Sequence, residues 1–254
     1  MSTRSALGDV SSVLEVTDLS VSYGPIPALR DVTLTVDAGR VCGLVGMNGS
    51  GKSTLFKALM GLVPHQAGHI ELCGTDSLTA RKHGWVGYVP QNEEIDLTFP
   101  LRVRDVVMMG RYGFMGFTRR PKEEDERRVD AALETTGLTG LAHRGIGDLS
   151  GGQRKRVFVA RALAQGARLL LLDEPFAGVD RTSERMITEL LRTLAADGVG
   201  IVVSTHGLGA VPALCDEVVL LNRSICFVGP VEQAMSPEVL DQAFRSLDEE
   251  ESGE

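Results

Sequence analysis

Apolar and polar residues alternate through Leu14-Glu15-Val16, Leu19-Ser20-Val21-Ser22-Tyr23 and Val32-Thr33-Leu34-Thr35-Val36. A period of two predicts half-buried antiparallel strands, with Gly24-Pro25-Ile26-Pro27 as the turn between them. Farther along, the strands read differently. Val41-Cys42-Gly43-Leu44-Val45, Leu169-Leu170-Leu171-Leu172 and Gly200-Ile201-Val202-Val203 are continuous apolar runs, the pattern of strands covered on both faces. Shorter strands are predicted over 69–74 and over 85–91, the second stopping at Pro90, and 217–222 with 225–229 reads as a hairpin turning at Arg223-Ser224.

Helical spacing fills the intervals. It is found over 55–60, 101–109, 121–136, from Ser150 through Leu163, over 182–194 and over 231–244. Pro121 opens the third of these and Gly137 closes it, as helix punctuation requires. Ser150 is placed as an N-cap. Met186, Leu190, Leu191 and Leu194 give the 182–194 helix one apolar face. Strands and helices interleave, so the fold class is α/β. Residues 1–12 are small and polar and read as a flexible tail, 13–246 as the main domain with an inserted helical lobe over about 92–165, and 247–254 as an acidic tail. Within the lobe, Gly110-Arg111-Tyr112-Gly113-Phe114-Met115-Gly116-Phe117 mixes aromatics and Met with glycines. It fits a docking surface, which adaptable apolar side chains on open backbone suit, and equally buried filling.

Composition narrows the class without choosing a function. The 254 residues are 43% hydrophobic and 24% charged, an ordinary globular balance. A net charge of −8 argues against a nucleic-acid partner. No apolar run reaches the ~18 residues a membrane span needs, and the first residues lack the apolar core of a secretory signal. Cytoplasm is therefore the expected compartment. Cys42, Cys73, Cys215 and Cys226 form no C-x-x-C pair and lie in apolar segments, which predicts buried free thiols.

The chemistry begins after the third strand. Gly46-Met47-Asn48-Gly49-Ser50-Gly51-Lys52-Ser53-Thr54 fits G-x-x-x-x-G-K-[ST] between an apolar run and a helix, the context that motif requires. Its glycines let successive N–H groups close on a phosphate chain at a helix N-terminus. Lys52 adds positive charge at the β/γ-phosphates, and Ser53 an oxygen for Mg²⁺. Gln91, the Asp173-Glu174 pair and His206 are each delivered by the C-terminal end of a predicted strand, where open α/β sheets bind ligands. A carboxylate buried at a strand end is costly unless compensated, and nucleotide-bound Mg²⁺ would compensate Asp173. Ser150-Gly151-Gly152 forms a second candidate anion site.

In order, these pieces resemble the nucleotide-binding ATPase subunit of an ABC transporter, from Leu14 to about Phe244. Walker A spans Gly46 to Ser53, Gln91 is the Q-loop, Leu149-Ser150-Gly151-Gly152-Gln153 the signature, Asp173-Glu174 the end of Walker B, Asp180 the end of the D-loop and His206 the switch. The resemblance implies a P-loop NTPase core with an antiparallel β subdomain and an inserted α-helical subdomain. It implies ATP and Mg²⁺ as cofactors, with two ATP molecules sandwiched in a dimer of the chain, each between one copy's phosphate loop and the other's signature helix. Tyr23 would stack on adenine. Ser53, Gln91 and Asp173, directly or through water, would arrange Mg²⁺. Glu174 would act as general base or water-orienting group and His206 as γ-phosphate sensor, while Asp180 would reach across the dimer. Partners would be membrane permease subunits, met through the Gln91 region and the helical lobe at the cytoplasmic face, and indirectly an extracytoplasmic solute-binding protein. The stretch from Phe99 to Gly113 and Ala177-Gly178-Val179-Asp180 look most like importers of manganese, zinc or iron. Import of an iron chelate and soluble iron–sulfur cluster assembly are the alternatives. Gly207 departs from the family, which commonly has an acid there.

Overall fold

The computed structural model describes residues 12–91 and 99–239. Most of both predicted tails, the opening of the predicted lobe at 92–98 and the end of the predicted 231–244 helix lie outside the described residues.

Strands β1 (Ser12–Tyr23) and β2 (Ile26–Asp37) pair antiparallel, with Tyr23 opposite Ile26. The turn is thus tighter than expected, only Gly24 and Pro25, and Ile26-Pro27 already belong to β2. Gly24 has φ +60, the left-handed backbone that such a turn needs and glycine adopts without penalty. Strand β3 (Val41–Val45) leads through the Gly-rich loop into helix α1 (Lys52–Leu59), followed by β4 (Ala67–Leu72), β5 (Thr75–Asp76) and helix α2 (Ser77–Lys82). Strands β2-β1-β4-β5 form a four-stranded antiparallel sheet.

After β6 (Val86–Val89) the helices α3 (Val103–Met109), α4 (Glu123–Thr135) and α5 (Gly151–Gln165) pack together as the lobe. Each begins where the sequence offers an acceptor for otherwise unpaired N–H groups: Asp105 takes the Arg102 amide at 2.9 Å, Asp125 that of Lys122 at 3.0 Å, and Ser150 that of Gln153 at 3.2 Å. Asp125 also receives the Arg111 guanidinium at 3.0 Å in the interior. The Lys122 amide and that guanidinium together hold its carboxyl below the ordinary range. The chain then continues through β7 (Leu169–Asp173), α6 (Arg181–Ala196), β8 (Gly200–Thr205), α7 (Val211–Leu214), β9 (Glu217–Asn222), β10 (Ser224–Pro230) and α8 (Val231–Ala234).

The central sheet has the order β10-β9-β3-β8-β7-β6 and is parallel except for β10. Its apolar runs are continuous because both faces are covered: Leu169 and Leu171 pack toward the antiparallel sheet and α1, while Leu170 and Leu172 pack toward the lobe and α6. Register does the functional positioning. Val45 lies opposite Thr205, and Asp173 opposite Ser204. The phosphate loop, Asp173-Glu174 and His206 therefore leave the sheet at one edge, in neighbouring strands.

Two further expectations are corrected, and one that was open between two readings is divided. The predicted 231–244 helix is interrupted: α8 stops at Ala234, the chain bends at Met235-Ser236 and helical backbone resumes over 237–239, because a residue before proline, here Pro237, is pushed out of helical geometry. Cys42 and Cys73 are buried as expected, but Cys215 is half-buried and Cys226 exposed, because β10 is an edge strand whose alternate residues face outward. In the Met/Phe/Gly stretch the two readings divide by residue. Met115 is core, as is Met108 at the end of α3 just before the stretch, whereas Tyr112 and Phe114 are exposed and Phe117 stands entirely clear of the surface. Phe114 also packs beneath the Arg111 guanidinium, 4.3 Å from its ring centroid.

Candidate nucleotide site

Glycines shape the loop between β3 and α1. A Cβ on Gly46 would sit 2.4 Å from the Leu221 carbonyl oxygen and from Ser50 Oγ, and one on Gly51 2.7 Å from the Ala28 carbonyl. Gly51 has φ +101 and Gly49 φ +84, so the loop follows a path that a side chain at either position would strain. Lys52 is buried, and its ammonium donates to the carbonyls of Gly46 at 2.7 Å and Met47 at 2.8 Å. Burial lowers its pKa, while the neighbouring carboxylates of Glu174 and Asp173 oppose that shift.

The loop borders a cavity of about 260 Å³, lined by Asn48, Gly49, Ser50, Gly51, Lys52, Ser53, Thr54, Gln91, Asp173, Glu174 and His206. Asp173 Oδ2 accepts from Ser53 Oγ at 2.9 Å, and Oδ1 from Ser204 Oγ. Glu174 Oε1 lies 2.8 Å from His206 Nδ1, the carboxylate nearly buried and the imidazole largely open to solvent. Glu174 has φ +49. A left-handed non-glycine residue costs roughly 1–3 kcal/mol and persists only where its surroundings fix it. Here its amide is held by both the carbonyl oxygen and the hydroxyl of Ser204, at 3.2 and 3.1 Å.

Other predicted site residues stand outside this cavity. Tyr23 is exposed at the end of β1. Ser150 and Gln153 close a reciprocal cap, Ser150 N–H donating to Gln153 Oε1 at 3.0 Å. Asp180 caps α6 through the Thr182 and Ser183 amides and the Ser183 hydroxyl; the Ser183 amide is the largest cause of its lowered pKa. The signature and the D-loop adjoin one another: a Cβ on Gly152 would meet Ser183 Cβ at 2.4 Å. Sequence reasoning missed this contact, the Ser204 bridge and a tie from Lys155 Nζ on α5 to the Gln91 carbonyl at 2.8 Å. Ser204 carried a signal, as a polar residue within an apolar strand. A larger cavity, about 700 Å³, opens at the opposite sheet edge and is lined by Trp85, Arg111, Phe114 and Arg168 among others. Arg111 there is already paired with Asp125 and the Ala164 carbonyl, and Arg168 stacks on Trp85.

The donor set fits MgATP. Ser50 Oγ is buried beside the phosphate loop without a hydrogen-bond partner, an acceptor or donor left for a ligand. Ser53 and Asp173 offer adjacent hydroxyl and carboxylate oxygens, the kind of set that binds Mg²⁺ together with substrate phosphates. A Gly-rich strand-to-helix loop with its lysine, and two acids at the end of β7, one strand removed from β3 across β8, define a P-loop nucleoside-triphosphatase. The particular family follows from comparison. Residues 29–177 match the family model described as ABC transporter, and the chain belongs to that family as an ATP-hydrolysing, ATP-binding subunit.

Among its relatives, the Yersinia pestis chelated iron transport system membrane protein YfeB is 50% identical over 91% of this chain and 78% of its own length. The Synechocystis manganese transport system ATP-binding protein MntA is 45% identical over 92% of this chain and 90% of its own. A solved ABC transporter in an inward-facing conformation superposes with a TM-score of 0.81 at 30% identity, covering 93% of this chain and 90% of that one.

Proposed function

We propose that this chain energises import of a transition metal, free manganese, zinc or iron or an iron chelate, by binding and hydrolysing MgATP at the cytoplasmic face of a membrane permease. The single observation that carries the ATPase chemistry is the meeting of Ser53 and Asp173 at 2.9 Å beneath the phosphate loop, with Glu174 on the same edge. Lys52 and the loop amides would bind the phosphates, and the Ser53–Asp173 pair with Gln91 would hold Mg²⁺. When bound, Mg²⁺ neutralises charge on the phosphate oxygens. Glu174 orients the attacking water and takes its proton, and His206 fixes the Glu174 carboxylate. Phosphoryl transfer asks mostly for positioning and charge stabilisation.

Tyr23, the signature residues 150–153 and Asp180 lie outside this cavity, which favours a composite site in which a second copy supplies Ser150, Gly151 and Gly152 to the nucleotide. Among the described residues no helix is long and apolar enough to cross a membrane. The transport systems named for the relatives support a permease partner, and favour transport over soluble iron–sulfur cluster assembly. Tyr112 and Phe117, exposed on the lobe, are the side chains offered to it. Replacing both by Ser should release the permease in co-purification while leaving ATP affinity unchanged; a complex that co-purifies intact would refute that docking assignment.

The transport reading is tested by the metal content of cells lacking the chain. Manganese, iron or zinc accumulation should fall several-fold and return with the parental gene, but not with Glu174→Gln. Unchanged content of all three metals would exclude the assignment.

A further inference from the structure

Ser204 is completely buried at the end of β8, after the apolar Ile201-Val202-Val203. An apolar residue would pack there without desolvating a hydroxyl, so the hydroxyl needs a hydrogen-bonding reason. It has two. An ionised carboxylate only accepts and an amide N–H only donates. The single Ser204 proton therefore goes to Asp173 Oδ1, and the oxygen's lone pair receives the Glu174 amide at 3.1 Å. The remaining oxygen of Asp173, Oδ2, is thereby left facing the Ser53 hydroxyl at 2.9 Å. The same contact helps hold Glu174 at φ +49, where the chain leaves the strand and its Oε1 reaches His206.

We propose that Ser204 is a positioning residue for ATP hydrolysis: one hydroxyl sets which oxygen of Asp173 faces the metal and fixes the backbone from which Glu174 enters the cavity. The inference rests on the roles given above to Asp173 and Glu174. It extends them by coupling the metal oxygen and the water-orienting carboxylate through one atom, so that both are misplaced when it is lost. Register makes this possible, since Ser204 is the residue directly opposite Asp173 on the neighbouring strand.

The test uses Ser204→Ala and Ser204→Thr in the full chain, with Mn²⁺ as a paramagnetic probe for the divalent cation. In Ser204→Ala, Mn²⁺ affinity in the presence of ATP should weaken about tenfold, the scale of one lost charge-assisted hydrogen bond. Turnover at saturating ATP should fall by at least a similar factor, about tenfold. ATP affinity in EDTA should stay at the parental value, and Ser204→Thr, which keeps the hydroxyl, should recover the Mn²⁺ affinity. Parental Mn²⁺ affinity in Ser204→Ala overturns the proposal. So does joint loss of Mn²⁺ and metal-free ATP affinity with a lowered melting temperature, which would mark Ser204 as packing alone. Parental turnover by Glu174→Gln would instead remove the underlying assignment of Glu174, and the Mn²⁺ measurement would still report on Asp173.

Discussion

Glu174→Gln should bind ATP as tightly as the parent and hydrolyse it at least a hundredfold more slowly, since a positioned general base is worth roughly 10²–10⁴ in rate. The substitution changes charge and basicity with almost no change in shape, at a side chain that is nearly buried and in contact with His206. In the proposed site, phosphate binding falls to the loop amides and Lys52, which line the same cavity and which the substitution leaves unchanged. Two copies should therefore close around nucleotide and remain closed, giving an ATP-dependent dimer by light scattering that the parent forms only transiently. A variant that turns over ATP at the parental rate when assembled with its membrane subunits would remove Glu174 from the chemistry.

Lys52→Ala should act earlier in the cycle. The Lys52 ammonium is buried and held at the loop by the Gly46 and Met47 carbonyls, which on the proposed reading sets its charge beside the phosphates. Hydrogen bonds to charged groups contribute about 1.5–3 kcal/mol, which predicts roughly a tenfold to hundredfold loss of ATP affinity by calorimetry. Turnover should vanish at ordinary nucleotide concentrations and reappear only in part at high ones. Unchanged affinity would place the phosphates elsewhere. The two variants separate cleanly, one retaining fuel and stalling, the other failing to take it up.

Much of this site is legible in the sequence because its residues sit at strand ends. The phosphate loop ending at Lys52, Gln91, the Asp173-Glu174 pair and His206 each lie beyond the C-terminal end of a strand with an apolar run, and a parallel sheet sends every such end to the same edge. Pairing register cannot be read that way. Which residue of β8 faces Asp173 decides that Ser204, and not Thr205, bridges the acids, and no local pattern encodes it. Burial in the lobe was equally hidden. Met108 and Tyr112 lie four residues apart where α3 gives way to the Met/aromatic/Gly stretch, yet the first faces the core and the second the outside, because α3 ends between them. The break after α8 could have been read from Pro237, which the apolar spacing of 231–244 masked. Exposure of Cys226 follows from β10 being the outermost strand, a fact of topology.

The close approach of Gly152 to Ser183 has a mechanical meaning. With no side chain between them and Ser183 tied to Asp180, the first turns of α5 and α6 have no slack. On the proposed composite site, a tilt of the lobe that carried the Ser150 cap toward a second copy's nucleotide would carry the Asp180 loop with it, as meshed teeth turn together.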